Sequence, residues 1–315
     1  MIEPISRSDF PAFKANGFAF LDSAATTHKP SVVIAAMKTF YETINANVHR
    51  GMYRSSVRAT EAYEQTRDEA HRFFGAPKDH VVVFTKGTTE SLNLVANAWG
   101  LSNLKPGDEI LLTRLEHHSQ LLPWQSVAKS TGAVLRFMPL SGFSVSAKDA
   151  IASMTPRTKV IAMTHVSNAF GSLMPVKEIC AYARSKGIVT LIDGAQSAGS
   201  MPVDIDDLGC DFFACSSHKM LGPTGVGVLM ARRSLLEAMP PYQFGGEMID
   251  AVTFDSCTFN DIPWKFEAGT PNIAGVIGFG AAIRYIGTIG LERIQRHDHL
   301  LTSRCLERLR ALPDV

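Results

Sequence analysis

The sequence has few cysteines, no long apolar run and almost no net charge. Its 315 residues include five widely spaced cysteines and no C-x-x-C pair, which indicates reduced thiols rather than a disulfide framework or a zinc site. The net charge of +1 gives the chain no electrostatic attraction to nucleic acid or an acidic membrane. No stretch has the apolar length of a membrane span, and the N-terminus has no signal-peptide core. We therefore expect a cytoplasmic protein without metal, nucleic-acid or membrane binding.

Strand and helix patterns alternate along most of the chain. Short β-branched apolar runs, such as residues 81–84, 109–112 and 188–192, are separated by segments with helical periodicity, such as residues 56–74. Repeated strand–helix units place helices on both faces of a sheet whose strands run mostly in one direction. The sequence therefore predicts an α/β fold with a mostly parallel, doubly wound sheet.

The alternating pattern weakens at both ends of the chain. Residues 1–17 read as an irregular arm, and a short strand is predicted directly after it, over residues 18–21. Residues 240–271 are rich in glycine, proline and aromatic residues, and a loop of this length is usually functional or interface-forming. Two helices are predicted beyond it. We therefore divide the chain into an arm (1–17), a large domain (18–270) and the start of an incomplete C-terminal domain (271–315).

Polar clusters follow five of the predicted strands. The carboxyl ends of parallel strands meet at one edge of an open α/β sheet, which is where such sheets bind ligands. The convergence of histidines, hydroxyls, an aspartate and a lysine at one edge is the main functional signal in the sequence. The five clusters are residues 85–90 (TKGTTE), 113–118 (TRLEHH), 164–168 (THVSN), 193–196 (DGAQ) and 216–219 (SSHK).

Asp193 and Lys219 are the residues around which we interpret these clusters. An aspartate after a strand is usually a turn residue or a helix cap, and a single lysine is usually solvated, so neither is informative alone. Together they match the needs of pyridoxal phosphate, whose pyridinium nitrogen takes an Asp and whose aldehyde takes a Lys imine. The pair therefore predicts a pyridoxal phosphate site.

The remaining clusters offer partners for the rest of such a cofactor. Gly87, Thr88 and Thr89 lie between a strand and a helix start, where free N–H groups and the helix dipole favour a phosphate. A simple Thr N-cap would give the same pattern. His117 is a candidate to stack on a flat ring and exchange protons, although a hydrogen-bonded loop histidine is the alternative for both His117 and His118.

Taken together, these motifs closely resemble the SUF-type cysteine desulfurases, which belong to the class V aminotransferase group of fold-type I pyridoxal phosphate enzymes. The resemblance runs from about residue 18 to the end of the sequence. Besides four of the clusters above and residues 87–90 (GTTE), it is carried by residues 221–227 (LGPTGVG) and 266–272 (FEAGTPN). It implies the fold of those enzymes and pyridoxal 5'-phosphate as the cofactor.

The resemblance also implies a role for each matching residue. Lys219 would bond the cofactor and move the Cα proton, Asp193 would keep the ring nitrogen protonated, and Gln196 would bond the ring hydroxyl. His117 would stack on the ring and assist proton transfer. The remaining implied positions are the cofactor-binding residues Thr88 and Asn168, the phosphate ligands Thr89, Ser216 and His218, with Thr270 from the second subunit of a homodimer, and the substrate-pocket residues Asn168 and His49.

The implied reaction converts L-cysteine to L-alanine and passes sulfur, as a protein persulfide, to an acceptor protein for iron–sulfur cluster assembly. The nucleophilic Cys and the substrate-binding Arg of these enzymes lie in a C-terminal region beyond Val315, and none of the five cysteines has an R-x-G-x-x-C context. Cys215 ends a predicted strand and is expected in the core, and Ser217 stands where a Gly is usual. Another class V lyase or aminotransferase, a selenocysteine lyase and an inactive cofactor-binding remnant therefore stay open.

Overall fold

The computed structural model describes residues 6–15 and 19–312. Residues 1–5, 16 and 17 of the predicted arm (1–17) and the first residue of the predicted strand at 18–21 lie outside these ranges. Residues 19–21 form no strand, and the side chain of Leu21 is exposed. The strand prediction was wrong here, because no strand among the described residues pairs with residues 19–21 and Leu21 does not face a core.

The described residues form one seven-stranded sheet and a separate two-stranded hairpin. The strands of the large sheet lie in the order β1-β7-β6-β5-β4-β2-β3. The nine strands of the described ranges are β1 (His80–Thr85), β2 (Glu109–Leu112), β3 (Val134–Phe137), β4 (Thr158–Thr164), β5 (Val189–Asp193), β6 (Phe212–Ser216), β7 (Gly227–Arg232) and the hairpin strands β8 (Ile249–Val252) and β9 (Cys257–Phe259).

The helices fall between the strands, as the alternating pattern predicts. The fourth helix continues through π-helical turns (Val95–Gly100) into the fifth, so that residues 88–103 are helical without a break. The α-helices are α1 (Ala12–Ala15), α2 (Ser31–Thr43), α3 (Arg54–Phe73), α4 (Thr88–Leu94), α5 (Leu101–Asn103), α6 (His118–Thr131), α7 (Ala147–Ala152), α8 (Val176–Ser185), α9 (Ile205–Leu208), α10 (Arg233–Ala238), α11 (Ile273–Ile289) and α12 (Leu291–Arg310).

The predicted mostly parallel sheet is confirmed, with one reversed strand. Strands β3, β2, β4, β5 and β6 pair in parallel, whereas β7 pairs antiparallel with both β6 and β1. Since β7 is reversed relative to each neighbour, β1 runs in the same direction as β6. The carboxyl ends of β1, β2, β4, β5 and β6 therefore meet at one edge of the sheet, and this edge carries the five polar clusters.

The sheet is buried on both faces. Successive residues of one strand pack into different hydrophobic cores. Leu191 and Phe212 pack into the core on one face of the sheet, and Ile192 and Phe213 pack into the core on the other. This explains why the central strands are unbroken apolar runs rather than alternating ones. Gly194 is required next to them, because a Cβ there would lie 2.0 Å from the Phe213 ring.

Helix α11 packs into the same core as the sheet. Phe279 and Ile283 belong to the cluster that includes β5 and β6, and α11 contacts both α2 and α3. The Tyr285 hydroxyl donates to Asp9 Oδ2 (2.8 Å), which joins the N-terminal region to this helix. The division between residues 18–270 and 271–315 therefore stays a prediction, and the packing of α11 runs across it.

Helix α12 differs, since it contains no buried residue. In the described part of the chain, no single helix has the length and apolarity to cross a membrane. Helices α11 and α12 meet the length and composition criteria only as a pair, and they are bent by 73° relative to each other.

Candidate active site

A cavity of about 520 Å³ opens at the edge of the sheet where the polar clusters meet. It brings together most of the residues that the sequence singled out, from β1, β2, β4, β5 and β6. The predicted site residues that line it are Thr88, Thr89, His117, Asn168, Asp193, Gln196, Ser216, His218 and Lys219.

Asp193 and Lys219 line this cavity together and influence each other electrostatically. Asp193 is the last residue of β5 and is 4% exposed; its Oδ1 accepts from the Ala195 N–H (2.9 Å). Burial raises the pKa of its carboxyl, and this N–H and the charge of Lys219 act against the shift. Burial lowers the pKa of the Lys219 amine, against the opposing charge of Asp193. A buried carboxylate and a readily deprotonated amine therefore share one cavity, which are the two partners that pyridoxal phosphate requires.

Hydroxyl and backbone N–H groups concentrate at the wall formed by the start of α4. The Thr88 N–H donates to Ser216 Oγ (2.7 Å), and the Thr88 and Ser216 hydroxyls also bond (2.7 Å). Close approach of β1 and β7 makes this contact available, because a Cβ on Gly227 would lie 2.4 Å from Gly87 Cα. Donors at the N-terminus of an uninterrupted helical stretch suit a phosphate group.

His117 is fixed by the residue that also anchors Thr89. The Ser119 N–H donates to His117 Nδ1 (3.1 Å), and the Ser119 hydroxyl lies 2.9 Å from the same nitrogen. The Thr89 hydroxyl bonds Ser119 Oγ (2.7 Å). Because Nδ1 accepts, the neutral ring carries its proton on Nε2. Ser119 was not predicted, since nothing in its local pattern distinguishes it from an ordinary helix-start serine.

Residues 22–25 form a further wall that sequence reasoning did not assign to the site. Asp22, Ala24 and Ala25 line the cavity, and Gln196 Nε2 donates to the Ala24 carbonyl (2.9 Å). Gln196 therefore has its amide nitrogen engaged with this segment. The available signal was a polar cluster after a short apolar run, in the same arrangement as the five clusters that were recognised.

Two buried titratable groups behind the cavity were also missed. Glu116 is half-buried with its Oε2 shielded from solvent, and burial raises the pKa of its carboxyl to about 8; Asp193 contributes in the same direction. The Thr113 hydroxyl donates to Glu116 Oε1 (2.5 Å), whereas Oε2 has no partner among the described residues. Burial lowers the pKa of His165 to about 4, and its Nδ1 lies 2.9 Å from Ser197 Oγ. Both groups are uncharged at neutral pH.

The structure does not bring His49 or Thr270 to this cavity. His49 Nε2 bonds Glu64 Oε1 (2.8 Å), and its backbone has φ 69°, so the ring packs edge-on against Trp264 instead. His49 therefore does not line the first cavity of its own chain, and its predicted place in the substrate pocket stays a prediction. Thr270 lines a different cavity of about 310 Å³, together with Glu267.

None of the five cysteines, all of which lie in the described ranges, lines the first cavity. Cys215 is buried in the core as predicted, and burial raises the pKa of its thiol. Burial also raises the pKa of Cys180 to about 12. Cys257 and Cys305 are exposed. The described residues contain no group of three or more side chains that could hold a metal ion.

The geometry agrees with comparisons to known proteins. The family model for class-V aminotransferases matches residues 19–315. A probable cysteine desulfurase of Halalkalibacterium halodurans is 49% identical over 294 residues, which cover 93% of this chain and 72% of that protein.

Two solved structures share the fold. The apo cysteine desulfurase of Thermococcus onnurineus superposes with a TM-score of 0.92 at 42% identity, and the match covers 96% of this chain and 75% of that one. The cysteine desulfurase CsdA (S-sulfonic acid) of Escherichia coli gives a TM-score of 0.90 at 40% identity, with coverages of 98% and 77%. In each case about a quarter of the other chain lies outside the match.

Proposed function

This chain belongs to the class-V aminotransferase family, and from that premise we propose that it is a pyridoxal-phosphate-dependent cysteine desulfurase. The substrate is L-cysteine, and the carbon product is L-alanine. The observation that carries the proposal is the shared cavity of Asp193 and Lys219, with hydroxyl and N–H donors at the start of α4 on its wall.

The donor set fits pyridoxal phosphate. Asp193 is a buried carboxylate to which the structure gives one backbone N–H as a donor, so a protonated ring nitrogen would supply the missing partner. Lys219 would take the aldehyde, and the donors of Thr88, Thr89, Ser216 and His218 would hold the phosphate. When bound, the cofactor supplies an electron sink that stabilises negative charge at the substrate Cα.

The chain's own residues would then accept, hold and transfer protons. The lowered pKa of Lys219 keeps more of its amine uncharged, and an uncharged amine can act as a nucleophile and accept the Cα proton. Asp193 holds a proton at the ring nitrogen through its negative charge. His117, with Nδ1 engaged by Ser119, has Nε2 left to exchange a proton with the substrate.

A thiolate takes up the sulfur of the substrate as a neutral atom. One cysteine and one thiol therefore give one alanine and one persulfide. Thiolates attack sulfur well because they are soft and partly ionised near neutral pH. Burial raises the thiol pKa of Cys180, Cys210 and Cys215, so these thiols ionise little and are poor sulfur acceptors. We propose an acceptor protein that carries this sulfur toward iron–sulfur cluster assembly, in the cytoplasm.

We also propose that the enzyme works as a homodimer and that Thr270 completes the phosphate site of the second subunit. The position of Thr270 outside its own chain's first cavity supports this. So do the exposed apolar side chains of Phe244, Val252 and Phe254 on and beside the β8–β9 hairpin, which a second copy would cover.

The decisive experiment compares the wild type with Lys219→Ala. We expect the wild type to form a borohydride-stable adduct with pyridoxal phosphate and to release alanine from cysteine, and we expect the variant to do neither. Equal adduct formation by both proteins would contradict the assignment of Lys219. Amino transfer to a keto acid with no sulfur released would indicate a different class-V reaction. Undiminished cysteine turnover after every thiol has been blocked would exclude a persulfide.

A further inference from the structure

Residues 26–29 make an unusual set of contacts with a single peptide carbonyl. The carbonyl oxygen of His218 accepts from the Thr27 N–H (3.0 Å), the Thr27 hydroxyl (2.9 Å) and the Lys29 amine (2.9 Å). The Thr26 hydroxyl lies 3.3 Å from the same oxygen. A carbonyl oxygen has two lone pairs, so these donors more than saturate it. This peptide is the one that joins His218 to Lys219.

The same segment holds the turn on the other side of Lys219. The Leu221 N–H donates to Thr27 Oγ1 (2.9 Å), so one threonine hydroxyl bridges the His218–Lys219 peptide and the Met220–Leu221 peptide on either side of Lys219. Leu221 has φ 61°, a left-handed conformation that costs a non-glycine residue free energy and persists only where its surroundings enforce it. The bond from the Leu221 N–H to Thr27 Oγ1 is one of the contacts that hold this turn.

Lys29 is a half-buried amine whose contacts in this region are with oxygens that carry no formal charge. It donates to the carbonyls of Thr27 (2.5 Å) and His218, and Thr26 Oγ1 lies 3.5 Å away. Burial lowers the pKa of the Lys29 amine to about 8. Its charge also helps to lower the pKa of His218, after burial and Lys219. A lysine that is desolvated and yet bonds only to uncharged oxygens, the His218 carbonyl among them, indicates a positional role.

The segment is anchored at its other end to the residues that follow β5. Ala24 and Ala25 line the cavity, and the Ala24 carbonyl accepts from Gln196, three residues beyond Asp193. Residues 24–29 therefore link the end of β5, which carries Asp193, to the end of β6, which leads to Lys219. This link does not depend on the sheet hydrogen bonds.

We propose that residues 26–29 form a clasp that sets the position of the Lys219 amine relative to Asp193, with Lys29 and Thr27 as positioning residues. The clasp acts through the His218 carbonyl and the Leu221 N–H. It rests on the proposed function in one respect, since it takes Lys219 to be the residue that bonds the cofactor.

The first test uses Lys29→Met, Lys29→Arg and, as a matched control, Lys148→Met, an exposed lysine in α7 outside the cavity wall. Three quantities are measured: the rate of borohydride-stable attachment of pyridoxal phosphate, the pH dependence of the bound cofactor's visible absorbance, and kcat and KM for cysteine. We expect Lys29→Met to slow attachment and lower kcat on the order of tenfold, because small displacements of a reacting group are costly.

We expect KM to change by less than about threefold in Lys29→Met, because the loss lies in the alignment of Lys219 rather than in substrate binding. Lys29→Arg should restore part of the rate, since the guanidinium still donates to carbonyls. The absorbance change with pH should be displaced in Lys29→Met and unaffected in Lys148→Met.

Thr27 provides a test that does not alter charge. Thr27→Val removes the bridging hydroxyl, and Thr27→Ser retains it. We expect attachment and kcat to fall in the valine variant and to approach wild-type values in the serine variant. Since Val and Thr have nearly the same shape, this pair remains informative if Lys29→Met fails to fold.

The outcomes separate the clasp from the proposed function. If the wild type forms no adduct, the proposed function fails. If the wild type forms it, and Lys29→Met and Thr27→Val match the wild type in attachment rate, absorbance and kcat, the clasp is refuted while the function stands. Lower thermal stability with these three readouts unchanged would assign residues 26–29 a purely structural role and would also refute the clasp.

Discussion

Two of the regions in which this molecule shields acidic side chains from water differ in how they pair them. In the first, between α3 and β1, Arg67 donates to both carboxylate oxygens of Glu267 (2.6 and 3.0 Å) and to the Val82 carbonyl (2.8 Å). Glu267 also accepts from the Phe84 N–H (2.7 Å) and the Tyr63 hydroxyl (3.2 Å). Each charge in this region has several partners within the chain.

The second region is the cavity and the residues directly behind it, where two carboxyls are incompletely paired. Asp193 has one backbone donor, and Glu116 has one oxygen without a partner among the described residues. Burial raises the pKa of both carboxyls. The difference teaches that full pairing within the chain marks a structural ion pair, whereas incomplete pairing beside a cavity marks the place of a ligand.

The largest effect is expected from breaking the fully paired region. Arg67→Met leaves the Glu267 carboxylate buried without its cation, and the free energy of unfolding should fall by about 3–5 kcal/mol. Chemical denaturation measures it. The control is Arg284→Met, which removes an ion pair to Glu69 from a half-exposed arginine and should cost less than about 1 kcal/mol. Equal losses in the two variants would contradict the comparison.

Asp193→Asn tests the cavity in the same way, but here we expect a large loss of activity and no loss of stability. Turnover of cysteine should fall by about 10²–10³-fold, the usual cost of removing one preorganised electrostatic contact. The melting temperature without cofactor should stay the same or rise, because an incompletely paired buried charge is removed. A loss of stability as large as that of Arg67→Met would show Asp193 to be a structural partner.

Glu116 should make the protein less stable as pH rises. Its folded pKa of about 8 lies above the ordinary value of 4.5, so between these values the folded protein keeps a proton that the unfolded chain releases. Stability should therefore fall by up to about 1.4 kcal/mol per pH unit across this window and level off above it. Glu116→Gln should remove this slope in urea unfolding between pH 5 and pH 8, whereas Glu61→Gln, an exposed control on α3, should retain it.

The smallest effect is expected from a buried hydroxyl that does not line the cavity. Ser217 is fully buried, its Oγ has no partner among the described residues, and a Cβ on Gly222 would lie 2.1 Å from that oxygen. Ser217→Ala should raise the free energy of unfolding by about 1 kcal/mol, because an unsatisfied buried hydroxyl is removed. Ser56→Ala, which removes a hydroxyl bonded to the Asn47 carbonyl (2.7 Å), should instead be destabilising. A destabilised Ser217→Ala variant would indicate a partner for this hydroxyl.

Local patterns were sufficient for most of the sheet. Strand runs such as Val189–Asp193 are buried on both faces, and their unbroken apolar sequence reflects that burial directly. The reversal of β7 was not predicted, because strand direction depends on which neighbours a strand meets. The β8–β9 hairpin was not predicted either, since all three residues of β9 and three of the four residues of β8 are exposed and carry no alternating pattern.

The site was predictable wherever its residues end strands. Asp193, Lys219, Thr88 and Thr89 follow apolar runs, and strand ends converge in this class of fold. Thr27 and Lys29 escaped notice because their contacts are with His218 and Leu221, far away in sequence, and no local pattern encodes such a pairing. The orientation of His49 could not be predicted either, because its contact with Glu64 on α3 helps to set it.

The pairing of β1 with β7 has a consequence for how the chain is made. Phe84 pairs with Val228, so five other strands of the large sheet are synthesised before β1 can meet its partner. Contacts between such distant segments close late, because the entropy of a long loop must be overcome first. Thr88 and Ser216 are brought together by this closure. Coenzyme capture should therefore be among the last events of folding, and the nascent chain must collapse without its help.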